Sequence, residues 1–172
     1  MYIECLQRHL AVCSLRDLPS YALRDPDFWN VISLLEPAFP GIDERGFLQV
    51  HEMVCFDVVG TEGLDEQDAG GIPREEQIRG LISFADRLYG EPLLIHCKAG
   101  VSRSTAVALA LLVRGMHYDG YTRKEIITGA PELLLEIRPK AMPNPLILEM
   151  GLAQVFSNEE AASLMADLVN HP

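Results

Sequence analysis

The residues of this sequence most suited to chemistry are a cysteine and an arginine separated by five residues, Cys97 and Arg103. They lie in the segment LIHCKAGVSRST. The apolar run that ends at His96 predicts a buried strand, and the apolar stretch that follows Ser102 predicts a buried helix. Gly100 indicates a tight turn between the two elements.

A turn between a strand and a helix start is a natural anion-binding site. The first N–H groups of a helix have no partner within the helix, and together with the N–H groups of the turn they converge on one point. Arg103 adds a planar guanidinium fork that can grip two oxygens of a phosphate group. The backbone donors are predicted to come from Lys98, Ala99, Gly100, Val101 and Ser102.

The position of Cys97 at the end of the strand exposes its thiol to the same positive field. Thiols in such places have pKa values of roughly 3.5–7.5, compared with about 8.5 for a free cysteine. A thiolate at the floor of a phosphate cradle is placed to attack phosphorus. The other three cysteines, Cys5, Cys13 and Cys55, lie in apolar stretches and are predicted to be small buried side chains.

The pattern of a cysteine, five residues and an arginine, preceded by His96, resembles the signature loop of the protein-tyrosine phosphatases. The version HCKAGVSRST is similar to the dual-specificity branch of that superfamily. The resemblance implies that Cys97 forms a phosphocysteine and that Arg103 binds phosphate and stabilises the transition state. It also implies that the Ser104 hydroxyl helps Cys97 to leave, and that His96 orients the loop from behind.

Other features resemble small bacterial proteins of the same superfamily: the strand Val31–Leu35, the helix after Pro73 and the late run from Pro139 to Asn144. The resemblance implies hydrolysis of phosphotyrosine, phosphoserine or phosphothreonine in proteins, without a metal or other cofactor. A non-catalytic phosphate-binding module and a phosphatase for inositol phosphates remain alternatives. Val101 stands where phosphoinositide-directed members often carry lysine. Lys98 is either solvated or adds positive charge at the rim.

A general acid must protonate the leaving oxygen, and the sequence offers three aspartates for it. The resemblance implies an aspartate some 30–40 residues before Cys97, on a loop that follows a strand. Asp57 directly follows the apolar run Met53–Phe56, whereas Asp65 and Asp68 lie in the glycine-rich and acidic segment that follows. Structural context favours Asp57 and linear spacing favours Asp65, so the choice stays open at this point.

The surrounding elements predict an α/β fold with a central mixed sheet flanked by helices. Helices are predicted after Pro73, Ser102, Thr122, Asn144 and Ser157, and the one after Thr122 is expected to break at Gly129–Pro131. Short apolar runs predict strands at Leu10–Ser14, Val31–Leu35, Leu48–Phe56 and Leu93–His96.

The 172 residues are enough for a single phosphatase domain over 1–172. A net charge of −11 argues against nucleic acid and anionic membranes as partners. The cysteines show no CxxC pair, which argues against zinc. The start of the chain lacks the layout of a signal peptide, and the cysteine usage suits a reducing compartment, so we expect a cytoplasmic protein. Its oligomeric state is left open.

Overall fold

The computed structural model describes residues 1–58 and 71–170. Its strands form one sheet in the order β1-β2-β5-β3-β4, in which β1 runs antiparallel to β2 and all other pairs are parallel. The predicted mixed sheet is therefore confirmed. The strands are β1 (Tyr2–Ile3), β2 (Arg8–Ser14), β3 (Asn30–Leu35), β4 (Gln49–Val54) and β5 (Leu93–Cys97).

Helices flank both faces of this sheet. They are α1 (Leu18–Arg24), α2 (Glu75–Arg87), α3 (Arg103–Tyr118), α4 (Arg123–Ile137), α5 (Pro145–Leu152) and α6 (Asn158–Asn170), and a short 3₁₀ turn follows β1 at Glu4–Leu6. Over the described ranges, none of these helices combines the length and the apolar character that a membrane crossing requires.

The parallel strands are apolar on both sides because helices and loops cover both faces. Ile95 and Cys97 of β5 point into the larger core beneath α2 to α6, whereas Leu94 points into the smaller core beneath α1. Helix α3 is buried around nearly its whole circumference, as the sequence predicted for its apolar stretch. This helix therefore lies in the middle of the domain, and its first turn is held rigidly against the end of β5.

Three features of the helices and strands differ from the prediction, and one of them is the two-residue strand β1, which was not predicted. Helix α4 runs without interruption through Gly129 and Pro131, so the expected break was wrong. Burial of Ile126, Ala130 and Leu134 against the core outweighs the backbone hydrogen bond that proline removes. The short helix α1 was not predicted, because its seven residues carry too little apolar periodicity to reveal it.

Candidate active site

The turn between β5 and α3, residues 97–103, is called the phosphate loop here. Cys97 is the last residue of β5 and Arg103 is the first residue of α3. Gly100 has a φ of +66°, and a Cβ atom at this position would lie 2.5 Å from the carbonyl carbon and oxygen of Cys13. Only glycine fits here, so the tight turn predicted at Gly100 has both a conformational and a steric cause.

The carbonyl groups of Ala99, Gly100 and Val101 in the phosphate loop point outward to donors from the following part of the chain. Arg138 donates from Nε to the Gly100 carbonyl at 2.8 Å and from Nη2 to the Ala99 carbonyl at 3.1 Å. The backbone N–H of Met142 donates to the Val101 carbonyl at 2.8 Å. A peptide unit points its N–H away from its C=O. These contacts therefore turn the N–H groups of the loop inward, towards Cys97.

The thiol of Cys97 lies where those N–H groups converge. Its Sγ atom is 3.1 Å from the Ser104 hydroxyl and accepts the Gly100 N–H at 3.2 Å. Burial raises the pKa of this thiol, but the Ser104 hydroxyl and the backbone N–H groups of Ser104, Val101 and Gly100 outweigh burial and lower the pKa below its ordinary value. The arrangement favours a thiolate at the base of the loop.

The side chain of Arg103, the first residue of α3, is almost completely buried. Its Nη1 donates to the Cys55 carbonyl at 2.8 Å, and its Nη2 lies 3.4 Å from Oε1 of Glu36. Its Nε has no hydrogen-bond partner among the described residues and lies 3.8 Å from Oδ2 of Asp57. Buried donors without an acceptor are rare in folded proteins. A phosphate oxygen is an acceptor of the kind that this guanidinium group can bind.

Of the three candidate acids, Asp57 lies at the phosphate loop. Its Oδ1 accepts the Ser102 hydroxyl at 2.7 Å and Nδ2 of Asn144 at 2.9 Å. Both donors bind Oδ1, whereas Oδ2 lies on the side of Arg103, 3.8 Å from its Nε. Asp65 and Asp68 fall outside the described residues. The assignment of the acid to Asp57 therefore stays a prediction, with this geometry in its favour.

Asn144 fixes this arrangement, whereas the sequence analysis used it only to mark a helix start and the end of the run that resembles the bacterial proteins. The side chain is 1% exposed. Its Nδ2 also donates to the Val58 carbonyl at 2.9 Å, and its Oδ1 accepts the Ile147 N–H at 3.1 Å as the N-cap of α5. Asn144 thus ties α5 to the segment that carries Asp57.

The two remaining predicted residues, His96 and Lys98, differ in their exposure to solvent. His96 is completely buried, and burial lowers the pKa of its ring to about 4, so the ring is neutral near pH 7. Neither ring nitrogen makes a hydrogen bond within the described part of the chain, so its orienting role stays a prediction. Lys98 is exposed, and its Nζ lies 3.0 Å from Oε2 of Glu36. Glu36, which the sequence analysis missed, therefore contacts both cations of the loop.

A metal centre has no support in the described residues, where no group of three or more histidine, cysteine, aspartate or glutamate side chains could hold an ion. The cradle that these residues form instead combines a stabilised thiolate, inward N–H groups, a buried guanidinium and a nearby carboxyl group. Chemically, this set can bind a phosphate group, attack it and protonate what leaves.

Comparison with known proteins finds a phosphatase that is similar in sequence to part of this chain. No protein-family model matches the chain. The chain is 36% identical over 84 residues to protein phosphatase Slingshot homolog 3 of Rattus norvegicus, which is 47% of this chain and 11% of that protein. The chain therefore spans about a tenth of the length of the curated relatives that it matches.

Solved structures share the fold over nearly the whole chain. Human DUSP28 is 20% identical with a TM-score of 0.56, covering 95% of this chain and 93% of that one. PTPMT1, solved in complex with PI(5)P, is 18% identical with a TM-score of 0.54, covering 90% and 93%. In its fold, and in the part of its sequence that it shares with a protein phosphatase, the chain resembles the protein-tyrosine and dual-specificity phosphatases, as its phosphate loop predicted.

Proposed function

We propose that this chain is a cysteine-dependent phosphatase that hydrolyses phosphate monoesters through a phosphocysteine at Cys97. The observation that carries the proposal is the set of donors around Cys97 Sγ, which lowers the pKa of a buried thiol that burial alone would raise. Arg103 supports it, because its buried Nε makes no hydrogen bond to the described residues and so can donate to a phosphate oxygen. Both features serve a phosphate group bound in the loop.

In the first step, the Cys97 thiolate attacks phosphorus, so that the S–P bond forms while the P–O bond to the leaving group breaks. The inward N–H groups and Arg103 stabilise the negative charge on the equatorial oxygens. Asp57 gives its proton to the leaving oxygen, and Asn144 and Ser102 hold the carboxyl group in place by binding its other oxygen.

In the second step, water attacks the phosphocysteine, so that a new P–O bond forms and the S–P bond breaks. The Asp57 carboxylate takes the proton of that water and regains the form it had at the start. The departing thiolate of Cys97 accepts a hydrogen bond from the Ser104 hydroxyl, whose oxygen lies 3.1 Å from Sγ. Inorganic phosphate then leaves and the cycle is complete.

For the substrate we propose phosphotyrosine, phosphoserine or phosphothreonine in proteins. The similarity to a protein phosphatase supports this class. An inositol phosphate is the second candidate, because a structure with this fold was solved with PI(5)P. Val101 supplies no cation to the loop, and Glu36 neutralises Lys98, so the rim is poorly suited to a ligand with several phosphates. The reaction needs a free thiol at Cys97, which agrees with a location in the reducing cytoplasm.

The deciding experiment separates a phosphatase from a module that only binds phosphate. The wild-type protein is mixed with an aryl phosphate at mildly acidic pH, quenched in acid and analysed by mass spectrometry, and steady-state phosphate release is followed in parallel. We expect a phosphate adduct on Cys97 and continuous turnover. Binding of phosphate without an adduct and without release would establish the non-catalytic alternative.

A further inference from the structure

Glu36 occupies a position beside the phosphate loop that the mechanism above does not use. It follows directly after β3, and Leu34 two residues earlier is the strand neighbour of Cys97. Its Oε2 lies 3.0 Å from Nζ of Lys98 and its Oε1 lies 3.4 Å from Nη2 of Arg103. One carboxylate therefore touches the buried cation that binds phosphate and the exposed cation at the rim.

The contact with Lys98 matters for charge more than for stability. Both side chains are substantially exposed, 69% for Lys98 and 38% for Glu36, and exposed ion pairs contribute little to folding. Their effect on the site is that the lysine at the rim is already neutralised. An anionic group that lies next to the bound phosphate would meet a carboxylate of like charge instead of a free lysine.

We propose that Glu36 is a specificity-determining residue, which makes the site prefer an isolated phosphate to a phosphate with a second phosphate beside it. The inference rests on the proposed phosphatase function and names the substrate class of that same site: singly phosphorylated segments of protein. Repulsion at the rim acts against the second anion, in addition to the attraction that Arg103 exerts on the first.

Binding measurements on a Cys97→Ser background test the proposal without turnover. The probes are a peptide with one phosphotyrosine and the same peptide with an added phosphoserine next to it. We expect Glu36→Gln to raise the affinity for the doubly phosphorylated peptide about three- to tenfold more than that for the single one, the size expected of one charge near the surface. Glutamine keeps an oxygen acceptor for Arg103, so the guanidinium stays held.

Two further variants identify the source of the change. Adding Lys98→Ala to Glu36→Gln should reduce the gain, because the freed lysine attracts the second phosphate, and the part that remains measures the repulsion that Glu36 exerted. Glu44→Gln removes an exposed carboxylate from the same β3–β4 connection and should leave the affinity ratio at its starting value.

The outcomes separate this inference from the proposed function. If Glu36→Gln changes both affinities by the same factor, Glu36 acts through overall charge or by holding Arg103, and the inference is overturned. If the ratio shifts as expected but wild-type protein releases no phosphate from either peptide, the specificity stands for binding and the phosphatase proposal fails.

Discussion

Cys97 and Cys55 both lie at the carboxyl ends of parallel strands, β5 and β4. Both are buried, but the pKa values of their thiols differ. Cys55 follows β4 and is completely buried, and burial raises the pKa of its thiol to about 11. Cys97 ends β5 and is equally inaccessible, yet the pKa of its thiol is lowered. The difference teaches that the placement of donors, rather than the degree of burial, decides which of the two thiols has a lowered pKa.

The donors reach Cys97 and not Cys55 because of the chain that follows each residue. After Cys97, the turn at Gly100 reverses the backbone and helix α3 begins at once, so that N–H groups and the Ser104 hydroxyl face Sγ. After Cys55, no helix begins through Val58, and the Cys55 carbonyl accepts a hydrogen bond from Arg103. Cys13 resembles Cys55, since burial raises the pKa of its thiol to about 12.

The largest effect on kcat is expected in the test that removes each of the two sulfur atoms in turn. Cys97→Ser should lower kcat by roughly 10⁴-fold or more, as expected when the nucleophile of a covalent mechanism is lost. Phosphate or vanadate should still bind, because the cradle consists of backbone groups and Arg103. Cys55→Ala should keep kcat within about tenfold, because its sulfur takes no part in the chemistry. Phosphate release from an aryl phosphate measures both.

Equal losses in the two variants would contradict the comparison. In that case the sulfur at Cys97 would be no more important than the one at Cys55. Circular dichroism spectra of both proteins serve as the control for folding, because Cys55 is part of the main core.

The second test concerns the acid that serves Cys97. Asp57→Asn should lower kcat by about 10²–10⁴-fold for an alkyl or unactivated phenyl phosphate, because the leaving oxygen needs a proton. The loss should be much smaller for a good leaving group. The pH profile of kcat/KM for the wild type should be bell-shaped on the acid side of neutrality, because the reaction needs Cys97 as the thiolate and the acid in its protonated form. Asp57→Asn should flatten the alkaline limb.

Asp65→Asn and Asp68→Asn are the matched controls, because they remove the same charge from the segment that follows. A loss in Asp65→Asn that depends on the leaving group, together with normal behaviour of Asp57→Asn, would mean that linear spacing was the better guide. Asp57 would then serve only to hold Ser102 and Asn144 at the loop.

The phosphate loop could be predicted from sequence because its interactions are local. Cys97 and Ser104 are seven residues apart, and the strand, the turn and the helix that bring them together are continuous in the chain. Asn144 and Glu36 could not be predicted in the same way. Their partners Asp57 and Arg103 lie 87 and 67 residues away, and the contacts follow from sheet order and helix packing that the apolar pattern does not specify.

The third test asks whether Arg103 acts through its shape as well as its charge. Arg103→Lys should lower kcat by about 10²-fold or more, because a lysine is a point charge and cannot bind two phosphate oxygens in one plane. Arg114→Lys is the control, since this arginine forms a two-point ion pair with Asp86, far along α3 from Cys97. Near-normal activity of Arg103→Lys would refute the role of the guanidinium fork.

The smallest expected effect comes from removing one donor from Cys97, and it sharpens the comparison most. The Ser104 hydroxyl is the largest of the interactions that lower the pKa of the Cys97 thiol, so Ser104→Ala should raise this pKa. The thiolate is the reactive form, and a higher pKa therefore moves the acid limb of the kcat/KM profile to higher pH. At optimal pH we expect kcat to fall by roughly tenfold, because the departing thiolate loses a hydrogen bond. Ser102→Ala removes a hydroxyl that binds Asp57 instead, so it should leave the acid limb in place. If the acid limb of Ser104→Ala coincides with that of the wild type, the Ser104 hydroxyl does not stabilise the thiolate, and the difference between Cys97 and Cys55 rests on the backbone N–H groups alone.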